Sequence, residues 1–182
     1  NVSTYPALFT ELARRKLAGA GIEQDPARYL TARTLAPIGC VPVAWTRWPD
    51  GAPRFDDGVA LSARAWAQVG ELVRREGVWR AQQLADDHAL REAQRGSFAE
   101  ARAGFGLWLA APARSGPQAR LDVDSDIWRA SSPAPIDLAM AAGKGGQRLY
   151  LSRTEGLVIV RQAQGDGPWS DAEFLTQIWR DL

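Results

Sequence analysis

The chain reads as a mixed α/β protein of the α+β kind, and three observations predict it. Apolar side chains recur at helical spacing in the first hundred residues, over Ala7–Leu17, Pro26–Leu35 and Ser62–Gly77. Between Leu138 and Gln162 a small-residue, glycine-rich turn opens into two short apolar runs, Leu149–Leu151 and Leu157–Val160, joined by the polar stretch Ser152–Gly156. That is the pattern of a β-hairpin. Finally, Ser170-Asp171-Ala172-Glu173 forms a capping box, with Phe174, Ile178 and Leu182 following at helical spacing. This closing helix is expected to pack on the sheet.

Composition bounds the answer further. With 182 residues, 46% hydrophobic and 24% charged, the chain has an ordinary globular make-up. A net charge of +1 gives no electrostatic case for nucleic acid or an anionic membrane surface. No window of about 20 residues is free of charge, so no membrane span is expected. The opening NVSTYPALFTELARRK lacks the basic start, apolar core and cleavage site of a signal peptide. Position 1 is not methionine, which leads us to expect a processed product or a fragment. Cys40 is the only cysteine and His88 the only histidine. An internal disulfide, a CxxC metal site, a His-rich metal site and a Ser-His-Asp triad are thereby disfavoured, and no cofactor or metal is called for.

In chain order, Ala7–Leu17 carries Leu8, Phe9 and Leu12, with Arg14, Arg15 and Lys16 near the end where the helix dipole favours cations. Gly19 and Gly21 stop it. Asp25-Pro26 looks like an N-cap followed by proline at the first helical position, opening a second helix that ends before Pro37. Val41–Gly58 is rich in Pro, Gly, Asp and Trp without a clear period, and reads as a long loop of the kind that often carries function. Trp45 and Trp48 in it are candidates to wall a substrate cleft, or they simply bury area. Ser62 caps a helix with Trp66, Val69 and Val73 on one face, closed by Gly77. A further helix is expected over Gln82–Gln94. Its Asp86, Asp87 and His88 are better read as a solvated face than as metal ligands, because three successive residues point in different directions around a helix. Gly104–Ala110 reads as a strand, Pro112–Asp126 as a polar excursion, and Ser131–Asp137 as a proline-bearing loop.

Leu157–Val160 is apolar without alternation, as expected of a strand covered on both faces, and the glycines at 143, 145 and 146 stand just before the first strand of the hairpin. Such a cluster lets another backbone or a ligand approach, or makes a tight turn into an edge strand. At this point the run AAGKGGQRLYLSRTEGLVIVRQ resembles the last block of serine hydrolases with the class C β-lactamase and penicillin-binding-protein fold. In that family a KTG, HxG or WGG triplet lines the active-site edge of a strand. The preferred register sets Ala141-Ala142-Gly143 over the triplet and the backbone N–H of Lys144 over its oxyanion-hole donor, with Gly145 beside them. Only the glycine of the triplet is retained. An alternative register sets Lys144-Gly145-Gly146 over KTG. The stretches TLAPIGC, GVALSARAWAQVGELVRREGVW and GFGLWLA are similar to further blocks of the family, so the resemblance spans nearly the whole chain but only the C-terminal half or so of a family member.

The resemblance implies an antiparallel sheet flanked by helices, with residues 1–100 contributing part of a helical region and active-site loops, and 101–182 the C-terminal strands and closing helix. Asn1 would be the asparagine of a Tyr-x-Asn motif whose tyrosine precedes it, although a first residue is also commonly frayed. Missing is the nucleophile: the only lysines are Lys16 and Lys144, preceded three residues earlier by Ala13 and Ala141, so no Ser-x-x-Lys exists here. The expectation is that an N-terminal segment of the same precursor supplies it and completes the sheet. The implied chemistry is acyl transfer on a small ester, amide or β-lactam-like substrate, with ester or amide favoured because the triplet lacks its hydroxyl and cation. The rival is a non-catalytic binding or structural module of the same fold. Family analogy favours export to the periplasm or beyond.

Overall fold

The computed structural model describes residues 4–98, 100–110, 123–128, 134–165 and 167–180. The chain forms two compact units, Asn1–Val69 and Gly70–Leu182.

In the first unit, α1 (Thr4–Gly19) is followed by α2 (Pro26–Leu30), which continues as a π-helical turn over Thr31–Leu35. Asp25 caps α2 as expected, its carboxylate accepting from the N–H groups of Ala27 and Arg28. Leu8, Phe9 and Leu12, the apolar residues of α1, remain about half exposed, and among the described side chains of the helix the buried one is Thr10. Its hydroxyl donates to the Pro53 carbonyl at 3.2 Å, so α1 is held by a polar contact to the loop it covers. That loop is more ordered than its composition suggested. Ala44–Trp45 (β1) pairs antiparallel with Val59–Ala60 (β2), and an Arg47–Pro53 bridge extends the hairpin. A Cβ on Gly58 would lie 2.4 Å from the Arg54 carbonyl, so the absence of a side chain there is what lets the loop fold back.

Helix α3 (Ala63–Arg74) starts at Ser62, whose hydroxyl accepts from Ala65 N–H. It ends at Gly77, which has φ 85° and donates to the Leu72 carbonyl. Its most buried positions are Ala65, Gly70 and Leu72, with Trp66, Val69 and Val73 only half-buried. Next, Val78–Trp79 (β3) and Gln82–Gln83 (β4) form a hairpin, so the helix expected from Gln82 begins only at Asp87. Two local contacts explain the difference. The Gln83 amide donates to the carbonyls of Glu76 and Ala85, and Asp86 caps α4 (Asp87–Ala93) through Ala89 N–H. Asp87 pairs with Arg91, and His88 is exposed.

The main sheet is antiparallel, in the order β5 (Trp108–Leu109), β6 (Ala139–Gly143), β7 (Gln147–Ser152), β8 (Leu157–Arg161). Period-two alternation sorts its side chains onto two faces. Met140 and Tyr150 pack with Leu138, Ile127 and with Leu175 of the closing helix α5 (Asp171–Arg180), while Ile159 joins from β8. On the other face Ala139, Leu151 and Leu109 pack with Val73, Leu107 and Val158. A Cβ on Gly70 would come within 2.6 Å of Val158 and 2.8 Å of Leu149, so α3 lies close against that face only because Gly70 is bare. β8 is thus covered on both faces, as its sequence implied, yet every residue of it stays half-buried because it is an edge strand. The strand fully enclosed is β7.

The β7–β8 turn is locked by Asp137. Its carboxylate accepts from Ser152 Oγ at 2.8 Å, Arg153 N–H at 2.8 Å, Thr154 N–H at 2.9 Å and Thr154 Oγ1 at 2.7 Å. Partial burial pushes its pKa up, but these donors outweigh burial and hold it below the ordinary 3.8. The Asp137 contribution to stability is therefore complete above pH 3.8 and is lost as pH falls below it. Asp137→Ala should remove the corresponding segment of the acid-unfolding curve, read as a smaller stability difference between pH 7 and the acid limb in urea titrations.

The β3–β4 turn is strained. Arg80 and Ala81 both have positive φ, 48° and 65°, in a two-residue turn that favours Asn-Gly. Ala81→Gly should stabilise the protein by roughly 0.5–1 kcal/mol, visible as a raised denaturant midpoint with unchanged slope.

Candidate active site at the open edge of the sheet

The last three residues of β6 form a sheet edge that no described strand occupies. β5 pairs with β6 only at Ala139 and Met140. Ala110 N–H donates to the Leu138 carbonyl at 2.9 Å, so Leu138, Met140 and, by alternation, Ala142 turn their backbone groups toward the β5 side. β5 stops short of Ala142. Its chain instead turns at Gly106, which has φ 75°, and closes on Ala103 through a bridge to Trp108. Ala141 and Ala142 are half-buried, whereas Gly143 and Lys144 are exposed. Gly143 is extended, with φ −125° and ψ 167°, so the N–H of Lys144 follows the same alternation as Ala142. Lys144–Gly146 is then a 3₁₀ turn and not part of a strand. The two registers considered for the triplet therefore fall on different backbone: Ala141–Gly143 on the strand edge, Lys144–Gly146 in the turn.

Beneath this edge lies a buried polar cluster. Asp171, at the first position of α5, and Tyr150 are fully buried, and Arg148 is nearly so. Asp171 Oδ1 accepts from the Tyr150 hydroxyl, from Arg148 Nε at 3.1 Å and from the Trp169 indole N–H at 2.9 Å. Arg148 also donates to the Asp124 carbonyl at 2.6 Å and the Gln147 carbonyl at 3.1 Å. Burial, reinforced by the hydrogen bond to Asp171, pushes the Tyr150 phenol well above its usual range, so it stays protonated as a donor. The N-terminus of α5 is capped by Ser170 as the capping box implied, through Glu173 N–H. Asp126 adds a second cap, accepting from Ser170 Oγ and Ala172 N–H. Spacing marked Ser170–Glu173 as a cap but gave no sign that Asp171 is an anchor, because its partners Arg148 and Tyr150 lie more than 20 residues away.

Of the remaining candidate residues, Asn1 lies outside the described residues. Trp45 and Trp48 belong to the first unit and do different things there. Trp45 is packed edge-on against Phe55, itself edge-on to Phe9, and its indole N–H donates to the Arg54 carbonyl. Trp48 stacks under the Arg54 guanidinium at 4.5 Å and borders an open groove of about 1090 Å³ that also contains Arg47, Asp50 and Thr10. No group of His, Cys, Asp and Glu suited to a metal ion occurs among the described residues, and no described helix is long and apolar enough to cross a membrane.

Removing the Asp171 carboxylate would leave Arg148 buried without its counter-charge. Asp171→Ala should cost about 3–5 kcal/mol, the usual penalty for breaking a buried pair, measured as a fall in unfolding free energy.

No family model and no curated protein matches this chain. Among solved structures it is similar to a protein from Bacteroides dorei DSM 17855 described as a "putative beta-lactamase", with a TM-score of 0.56 at 12% identity. The match covers 93% of this chain and 54% of that one, so the chain spans about half the length of the structure it resembles. At that identity the likeness shows the fold alone: mixed helices and antiparallel strands arranged as in a β-lactamase-like protein.

Proposed function

We propose that this chain is the C-terminal part of a β-lactamase-fold serine hydrolase that cleaves esters or amides through an acyl-enzyme. The observation that carries the reading is the backbone edge at Ala141-Ala142-Gly143, which no described strand occupies, with an exposed Lys144 following the extended Gly143. An acyl substrate laid along that edge can exchange hydrogen bonds with Ala142 as an added strand would. A serine in a preceding segment attacks the acyl carbon, and an adjacent lysine takes its proton and delivers it to the departing alcohol or amine. The N–H of Lys144, with the N–H of the serine itself, holds the oxyanion; one such donor typically contributes about 3 kcal/mol. Asn1 positions the reacting groups, and Gly143 and Gly145 keep side chains out of the substrate path. Water then attacks the ester, returns the acid and frees the serine.

Two features support a preceding segment of the same precursor as partner. β8 has a free outer edge among the described strands, and half-exposed Leu8, Phe9 and Leu12 line one helix. A long apolar edge left open is an aggregation hazard unless another strand covers it.

The experiment is intact mass spectrometry of the full protein after treatment with a fluorophosphonate probe. A stoichiometric adduct on a serine upstream of Asn1, with p-nitrophenyl esters hydrolysed faster than cephalosporins, is the expected result. A folded full-length protein that takes no adduct and hydrolyses neither would replace this reading with the non-catalytic module.

A further inference from the structure

The turn that follows Gly143 is held from behind by side chains that the proposed reaction does not use. Gly145 and Gly146 both have left-handed backbone, with φ 72° and 73°. Glycine takes that conformation without strain, but two in succession leave a turn intrinsically soft. Two side chains stiffen it. Arg161, the last residue of β8, donates through Nη1 to the Gly146 carbonyl, and its guanidinium stacks on the Trp169 ring 3.8 Å from the centroid. Trp169 is fixed in turn by the buried Asp171. Gln147 grips the other end: its amide donates to the Ala163 carbonyl at 2.5 Å and the Gly145 carbonyl at 3.4 Å, and accepts from Ala163 N–H at 3.4 Å. The fit is close enough that a Cβ on Gly146 would sit 2.5 Å from Arg161 Nη1.

We infer that Arg161, seated on Trp169, is a positioning residue that fixes the turn and thereby the direction of the Lys144 backbone N–H. This rests on the reading of that N–H as an oxyanion donor. A donor acts only when it lies within about 2.7–3.1 Å of the oxyanion, so a turn free to rock costs turnover and not substrate affinity. Arginine is required because one planar group must both stack on the indole and present an N–H in its own plane. Lysine can supply the donor but not the stack.

The test uses the full protein carrying R161M, R161K or no substitution. Methionine keeps the aliphatic packing of Arg161 and removes both the donor and the stack. For R161M we expect kcat for p-nitrophenyl ester hydrolysis to fall about 10–100-fold, with KM within about twofold, the range a misplaced catalytic group produces. Amide hydrogen exchange at Gly145–Gln147 should speed up at least about tenfold while Tyr150 and Leu151 keep their protection. R161K should fall between the two. An active wild-type protein whose kcat is unchanged in R161M overturns the role of Arg161 alone. So does a fall in kcat accompanied by faster exchange throughout the sheet, which marks general destabilisation. A wild-type protein inactive toward esters and the probe overturns the reading of Lys144 and the catalytic role of Arg161 with it.

Discussion

The Asp171 carboxylate is the point at which the second unit is tied together. One oxygen gathers donors from two positions of β7 and from the Trp169 indole, so the central strand, the closing helix and the segment before it converge on a single buried charge. Such a charge is tolerated inside a protein only when paired and hydrogen-bonded, and Arg148 and Tyr150 supply both conditions. Because Asp171 opens α5, the helix N-terminus adds a favourable dipole to the same anion. The apolar packing of Leu138, Met140, Tyr150 and Leu175 then closes around a geometry the polar cluster has already set.

The open edge at Ala141–Gly143 follows from that arrangement. β7 is enclosed on both faces and paired on both sides, which makes β6 and β8 its rigid neighbours. β5 is too short to cover all of β6, and the bridge from Ala103 to Trp108 draws its chain away at Gly106. Rigid strand beside an unpaired backbone edge is the setting in which hydrogen bonds to a bound group can be directed without reorganisation. The contact from Trp169 to Arg161 carries the anchoring of Asp171 outward to the turn at that edge.

Much of the architecture was legible. The hairpin was readable from Leu149–Leu151 and Leu157–Val160, the cap of α2 from Asp25-Pro26, and the cap of α5 from Ser170–Glu173, because each depends on neighbours within a few residues. The misreadings have one kind of cause. The stretch from Gln82 looked helical since nothing in it announces the Arg80-Ala81 turn, which adopts left-handed backbone without glycine or asparagine. Val41–Gly58 looked irregular because the pairing of β1 with β2 spans 14 or more residues. The apolar residues of α1 looked like a packed face, but periodicity reports that a helix has an apolar side and not what lies against it.

What the sequence by itself determined is local: the helix caps at Asp25, Ser62 and Ser170, and the two strands of the β7–β8 hairpin. Its block order also pointed to the β-lactamase-like fold that the solved structure shares. Only the tertiary structure decided that β8 is the outer strand among those described, that no described strand pairs with Ala142 on the β5 side, and that Asp171 is buried against Arg148 and Tyr150. Those facts depend on which strand lies beside which and on charges meeting across 21 or 23 residues, and no short-range pattern encodes either.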